Sequence, residues 1–248
     1  MLRAVGDLIG YRLQATDGEI GRCADFLCGG ADWVVRYLVA DTSRWLPGRK
    51  VLVSPVFLDA PRWAERRFPV RLTREEIRRS PPLREREPVT RRHERAYFDY
   101  YQFPFYWEGS DLWGSYPTPQ AFGSAHERPA ARDAGRSEAG AGELYSLADL
   151  VGFAVLTRDA AVGRVAGFLM DERSWAVPWV AVETRAGTAR RPVLAETRRV
   201  AGVDPGAEEI RLDLGAEALR GCPVWDPARP PTEEEEARLR RHYREADR

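Results

Sequence analysis

Residues 2–42, LRAVGDLIGYRLQATDGEIGRCADFLCGGADWVVRYLVADT, align without a gap over residues 144–184, LYSLADLVGFAVLTRDAAVGRVAGFLMDERSWAVPWVAVET, at an offset of 142. Identities include Asp7/Asp149, Leu8/Leu150, Gly10/Gly152, Asp17/Asp159, Gly21/Gly163, Phe26/Phe168, Leu27/Leu169, Trp33/Trp175 and Thr42/Thr184. After a variable loop the register returns, with RLTREEIRRSPP over DLGAEALRGCPV pairing Leu72/Leu214, Glu75/Glu217, Arg78/Arg220 and Pro81/Pro223. A module of about 80 residues, present twice, accounts for most of the chain. Any fold proposed for it must therefore be one that a short segment can build twice.

Within each copy the pattern is that of short strands. YRLQA and EIGRCADFLC flank Thr16-Asp17-Gly18, a hairpin turn in which glycine supplies the positive φ. Asp159-Ala160 stands there in the second copy, so that turn must differ. Gly21 and Gly163 recur just inside the next strand and predict a bulge or a close backbone approach. WVVRYLVADT and WAVPWVAVET are the longest strands, with Trp33, Val35, Tyr37 and Val39 on one face and Trp175, Val177, Trp179 and Ala181 mirroring them. The other face is mixed in the first copy, with Val34, Arg36 and Leu38. Pro178 replaces Arg36, cannot donate to a ladder, and predicts an edge or bulge. Each module ends in a short helix, the first with a capping box from Thr73 to Glu76. Strands this short and closely spaced predict a small closed barrel, which removes exposed sheet edges.

The order DLIG…DGEIG…DFL…W…YLVADT…VLVSP…LTREEI…PP resembles the PRC-barrel family, named for the cytoplasmic domain of the H subunit of purple-bacterial photosynthetic reaction centres. The resemblance covers both copies, residues 1–82 and 144–225. It implies a mainly β chain of two small barrels, each closed by a short helix. It also implies adaptor roles: one kind packs beneath a membrane electron-transfer complex, another is the C-terminal half of a ribosome-maturation factor. The family carries no shared catalytic residues. The chain departs from the H subunit in lacking an N-terminal membrane helix, and from the maturation factor in having two barrels and no separate N-terminal domain.

Chemistry is sparse. His93, His126 and His242 lie outside both modules and away from any cysteine or carboxylate pair at metal-ligand spacing. There is no P-loop, dinucleotide fingerprint or nucleophile elbow. The recurring Asp7/Asp149 and Asp17/Asp159 invite an acid–base reading, yet turns and caps explain them better. Cys23, Cys28 and Cys222 are too few for a disulfide scaffold and read as small apolar fillers. No catalytic, cofactor-binding or metal-binding residue, and no cofactor, is expected.

Between the modules, residues 83–143 form a linker. Ten of the chain's 26 aromatic side chains fall within 97–116. Tyr97, Phe98, Tyr100, Tyr101, Phe103, Phe105, Tyr106, Trp107 and Trp113 show neither a helical nor a strand period, and Pro104 interrupts them. An irregular strap lying on barrel surface is one reading; a surface for another protein or a second copy is the other. Asp99, Glu108 and Asp111 would point outward. Residues 118–142 are rich in Ala, Gly, Pro and charge and predict disorder. The tail, 226–248, reads as a charged helix capped by Thr232, with only Leu239 and Tyr243 as an apolar stripe. Such a helix docks weakly or awaits a partner.

Formal net charge is zero, which argues against a general affinity for nucleic acid. The aromatic segment 96–117 holds no Arg or Lys to interleave with its rings, which argues the same way. From Arg62 to Arg95 twelve Arg stand against six Glu, and this alternation reads as a solvated helical face. No segment has the apolar length of a membrane helix or the pattern of a signal peptide, so the chain reads as cytoplasmic. Peripheral association with a membrane stays open. The expectation is a non-catalytic scaffold acting through protein–protein contacts. Two alternatives stand beside it: an accessory protein of a photosynthetic or electron-transfer complex, and an RNA-processing or ribosome-maturation factor.

Overall fold

The computed structural model describes residues 1–43, 46–47, 49–84, 87–125, 143–186 and 189–246. In the first half the strands are β1 (Leu2–Ala4), β2 (Arg12–Ala15), β3 (Gly18–Gly29), β4 (Val35–Asp41), β5 (Arg49–Val53), β6 (Arg67–Pro69) and β7 (Leu83–Arg84). The second half has β8 (Leu144–Ser146), β9 (Ala154–Leu156), β10 (Ala161–Asp171), β11 (Trp179–Ala186), β12 (Ala189–Glu196), β13 (Val200–Asp204) and β14 (Glu209–Leu212). The helices are α1 (Arg74–Arg79), α2 (Arg91–Tyr100), α3 (Pro119–Ala125), α4 (Leu147–Leu150), α5 (Ala216–Arg220) and α6 (Glu233–Glu245).

Two seven-stranded mixed sheets result, and neither closes into a barrel. The expectation of two small closed barrels is therefore corrected. In one sheet the order is β12-β11-β10-β9-β14-β13, with β1 paired to β10. In the other it is β6-β2-β3-β4-β5-β7, with β8 paired to β3. Short strands suggested closure because closure removes edges. Here the two outer strands of each sheet stay unpaired to one another among the described residues.

The chain divides into two units. The first-repeat unit comprises Leu8–Tyr145 with Arg173–Trp175; the second-repeat unit comprises Met1–Asp7, Ser146–Glu172 and Ala176–Arg248. The leading strands are thus exchanged. β1 belongs to the first repeat in sequence but pairs with β10, in the register Leu2↔Asp171, Arg3↔Met170 and Ala4↔Leu169. β8 belongs to the second repeat but pairs with β3. The same hydrogen bond flanks both junctions: Glu172 N–H donates to the Met1 carbonyl at 3.1 Å, and Gly30 N–H to the Glu143 carbonyl at 2.9 Å. Trp175 likewise lies in the first-repeat unit, 6.2 Å from the Phe26 ring and 6.3 Å from Phe68. Trp33 and Trp175 share a left-handed backbone, with φ 52 and 62.

Contact after contact repeats at the offset of 142. β2 runs parallel to β6, as β9 does to β14. A Cβ on Gly21 would overlap the Asp41 carbonyl oxygen, and one on Gly163 would overlap that of Glu183, so both positions are close backbone approaches. Arg22 donates to the Gly10 carbonyl at 3.2 Å, and Arg164 to that of Gly152 at 2.8 Å. Arg49 latches the end of α1 through the Arg78 and Ser80 carbonyls, and Arg191 does so for α5 through Arg220 and Cys222.

The offset also relates α2 to α6. Their N-caps are Thr90 and Thr232. The Tyr37 hydroxyl donates to Glu94 Oε1 at 3.2 Å, and Trp179 Nε1 to Glu236 Oε1 at 3.3 Å. The Tyr97 hydroxyl reaches the Leu52 carbonyl, and the Tyr243 hydroxyl that of Leu194. So α6 is no loosely docked tail: Leu239 and Tyr243 are buried, and Arg199 donates to the Tyr243 carbonyl at 2.8 Å. Its thin apolar stripe is enough because buried polar bonds supplement it.

Candidate functional site

The aromatic segment belongs to the first-repeat unit. The segment is no irregular strap at its start. Thr90 caps α2, its hydroxyl accepting from His93 N–H at 3.3 Å, and the helix carries the first three rings. Only after Tyr100 does the chain run irregularly, up to α3. That helix replaces the disorder expected from residue 118; residues 126–142 lie outside the described residues.

Beneath this segment Arg36 is 3 % exposed, on β4 in the middle of its sheet. A buried guanidinium needs partners. Nη1 donates to the Leu112 carbonyl at 2.6 Å, and Nη2 pairs with Asp32. The guanidinium carbon lies 4.0 Å from the centre of the Tyr106 ring and 4.9 Å from that of Trp113. Trp113 is itself held by donation from Nε1 to the Ser174 carbonyl at 2.9 Å.

A second arginine stands in the first turn of α2. Arg91 lies 4.0 Å from the centre of the Trp107 ring, pairs with Glu94 at 2.9 Å and donates to the Tyr106 hydroxyl at 3.2 Å. Glu94 is buried beneath it and also accepts from the hydroxyls of Tyr106, at 2.7 Å, and Tyr37, at 3.2 Å. Burial pushes the Glu94 carboxyl above its ordinary range, while those hydroxyls and the nearby arginines pull it back. Burial likewise raises the phenols of Tyr37 and Tyr106. Above the pair opens a cleft of about 230 Å³, lined by Gly29, Ala31, Asp32, Arg36, Arg91, Tyr106, Trp107, Gly109, Asp111 and Leu144. Stacked arginines of this kind keep a fixed fork of donors with little rotamer freedom to lose.

Of the nine aromatic residues singled out in the sequence, only Tyr106 and Trp107 line this cleft. Tyr97, Phe98 and Trp113 are core. Tyr101 and Phe103 half-bury against Phe57, at 4.7 and 5.1 Å between ring centres, and Phe105 stacks on Trp107 at 4.7 Å. Tyr100 is the outlier at 37 % exposed. Asp99, Glu108 and Asp111 are exposed. Asp32, Arg36, Arg91 and Glu94 are not among the residues singled out from the sequence. Arg36 did carry a signal, as a charge inside an apolar strand whose counterpart is Pro178. Glu94 carried none, because its burial depends on a helix that pattern alone did not reveal.

The recurring aspartates have structural work. Asp17 Oδ1 accepts from the Arg74 N–H at 2.8 Å, and Asp159 Oδ1 from the Ala216 N–H at 2.7 Å, so each hairpin turn caps its own module's helix. For α5 this replaces a missing cap, since Gly215 has no side chain to offer. The backbone bond from Ala216 and the Thr157 hydroxyl hold the Asp159 carboxyl below its usual range. Asp7 and Asp149 are exposed in the first turns of short helices. Gly18 sits in the hairpin, at φ 153. Cys23, Cys28 and Cys222 are buried and unpaired. Among the described residues, no cluster of three or more His, Cys, Asp or Glu could hold a metal ion, and no helix is long and apolar enough to cross a membrane. No family model matches the chain, and no curated protein matches it.

Proposed function

We propose that the protein is a non-catalytic scaffold that acts through protein–protein contacts, with the Arg36–Arg91 cleft as its recognition point. One observation carries this reading: both arginines of the cleft are replaced in the other, otherwise matching repeat. The folding needs of the two are alike, as the repeated contacts attest. Yet Arg36 becomes Pro178 and Arg91 becomes Glu233. Groups that the second repeat does without are not demanded by the fold. Arginine and aromatic side chains held rigid in a concavity are also the composition of binding hot spots. The adaptor roles implied by the PRC-barrel resemblance point the same way.

The test is affinity capture from the native cells with the wild-type chain, Arg91→Gln, and a second-repeat control, Arg240→Gln. The expected result is a specific partner that Arg91→Gln loses and Arg240→Gln keeps, with circular dichroism unchanged in both. Equal capture by all three chains would refute the cleft as the recognition point.

A further inference from the structure

We infer that the strand exchange that completes each sheet also operates between chains, so that the protein self-associates as a closed, exchanged dimer. In that dimer the first repeat of one chain pairs with the second repeat of its partner, and the reverse. β1 of one chain then occupies β10 of the other.

Three observations lead there. First, the exchange is reciprocal: each sheet takes its extra strand from the other repeat, β1 on β10 and β8 on β3. Second, donor and acceptor are built alike, down to the matching bonds from Glu172 to Met1 and from Gly30 to Glu143. A second copy can therefore supply every contact with no new surface and no new side chain. Third, the attachment of β1 is slight. It rests on three ladder positions, the buried Leu2, the backbone bond from Glu172 to Met1, the part-exposed pair of Arg3 with Glu172 at 3.2 Å and that of the Met1 amino group with Asp171 at 3.2 Å. Releasing so few contacts frees the acceptor strand.

Because the contacts are the same within and between chains, concentration decides between the two forms. The form within one chain is favoured by the tether between the repeats. A tether able to span its two sites sets an effective concentration on the order of 1 mM. Exchange between chains competes as the protein concentration approaches that value, and it is trapped when folding occurs there.

The experiment unfolds the full chain in denaturant and refolds it at about 10 μM and about 1 mM, with the mass read by light scattering after size exclusion; the expected dimer fraction rises about tenfold or more. The monomer is 28.1 kDa. Chains carrying Ala4→Cys are then co-refolded with chains carrying Leu169→Cys and oxidised. Only exchange between chains apposes these two positions, which are register partners across β1 and β10. A disulfide-linked dimer is expected from the mixture. The double variant Ala4→Cys/Leu169→Cys at low concentration should close its disulfide within a monomer. If the core substitution at Leu169 prevents folding, the neighbouring partners Arg3→Cys and Met170→Cys serve instead. A monomer at both concentrations overturns the inference. So does a dimer that forms without the inter-chain disulfide, which would be ordinary surface association.

Discussion

Replacing Tyr97 by Phe removes one oxygen atom from the centre of the first-repeat core and leaves its ring in place. That ring is 1 % exposed and sits 5.3 Å from Tyr37 and 4.9 Å from Tyr101. Its hydroxyl accepts from the Ser54 N–H at 3.1 Å and donates to the Leu52 carbonyl at 3.3 Å. Ser54 is fully buried, and among the described residues its N–H has no second acceptor. The variant thus leaves a buried donor unsatisfied, which costs about 1–3 kcal/mol. In a chain of this size each kcal/mol lowers Tm by about 2–4 °C, so a fall of roughly 2–12 °C is expected. Tyr243→Phe is the internal comparison. Tyr243 is as deeply buried, but its hydroxyl donates at 2.7 Å to the Leu194 carbonyl, an acceptor that tolerates a lost partner better than a buried N–H does. Its loss should cost about 1 kcal/mol. Urea unfolding of both variants, with the slope checked against wild type, measures the two costs. A Tyr97→Phe chain as stable as wild type, or a Tyr243→Phe chain hurt more, would refute the accounting.

Gly21→Ala and Gly163→Ala should both destabilise, because each added methyl meets a neighbouring strand's carbonyl. Gly21→Ala should cost more, by about 1–3 kcal/mol, since only Gly21 also sits at a positive φ, of 131; equal melting curves would contradict this. Glu94 predicts a pH dependence. Its folded carboxyl is raised by burial above the ordinary 4.5, so its contribution is complete below that pH and is lost as pH rises through the folded value. The stability difference between wild type and Glu94→Gln should therefore drift against the wild type over that window, and a difference constant with pH would count against it.

The repeat, its turns and its caps were legible in the sequence because they are local. The Asp17/Asp159 turns, the close approaches at Gly21/Gly163 and the capping box at Thr73 each depend on a few adjacent residues whose backbone needs are written in their side chains. The aromatic helix was hidden by proximity: Pro104 and the irregular rings after Tyr100 masked the helical spacing of Glu94, Tyr97 and Phe98. The relation of α2 to α6 was hidden by divergence, since Tyr97 and Tyr243 reach equivalent carbonyls from positions one helical turn apart.

Closure of the sheets and the partner of each leading strand lay beyond any local pattern. A three-residue strand has the same alternation whichever sheet receives it, so nothing in Leu2–Ala4 distinguishes β3 from β10. The cleft has the same origin. Arg36, Arg91, Tyr106 and Trp107 are spread over 72 positions of chain, and only packing makes them neighbours. What the amino-acid sequence determined by itself was a module, made twice, with its turns and caps. Which strand completes which sheet, and which charges are buried together, was decided by the tertiary structure, because backbone pairing and burial are satisfied over the whole fold rather than segment by segment.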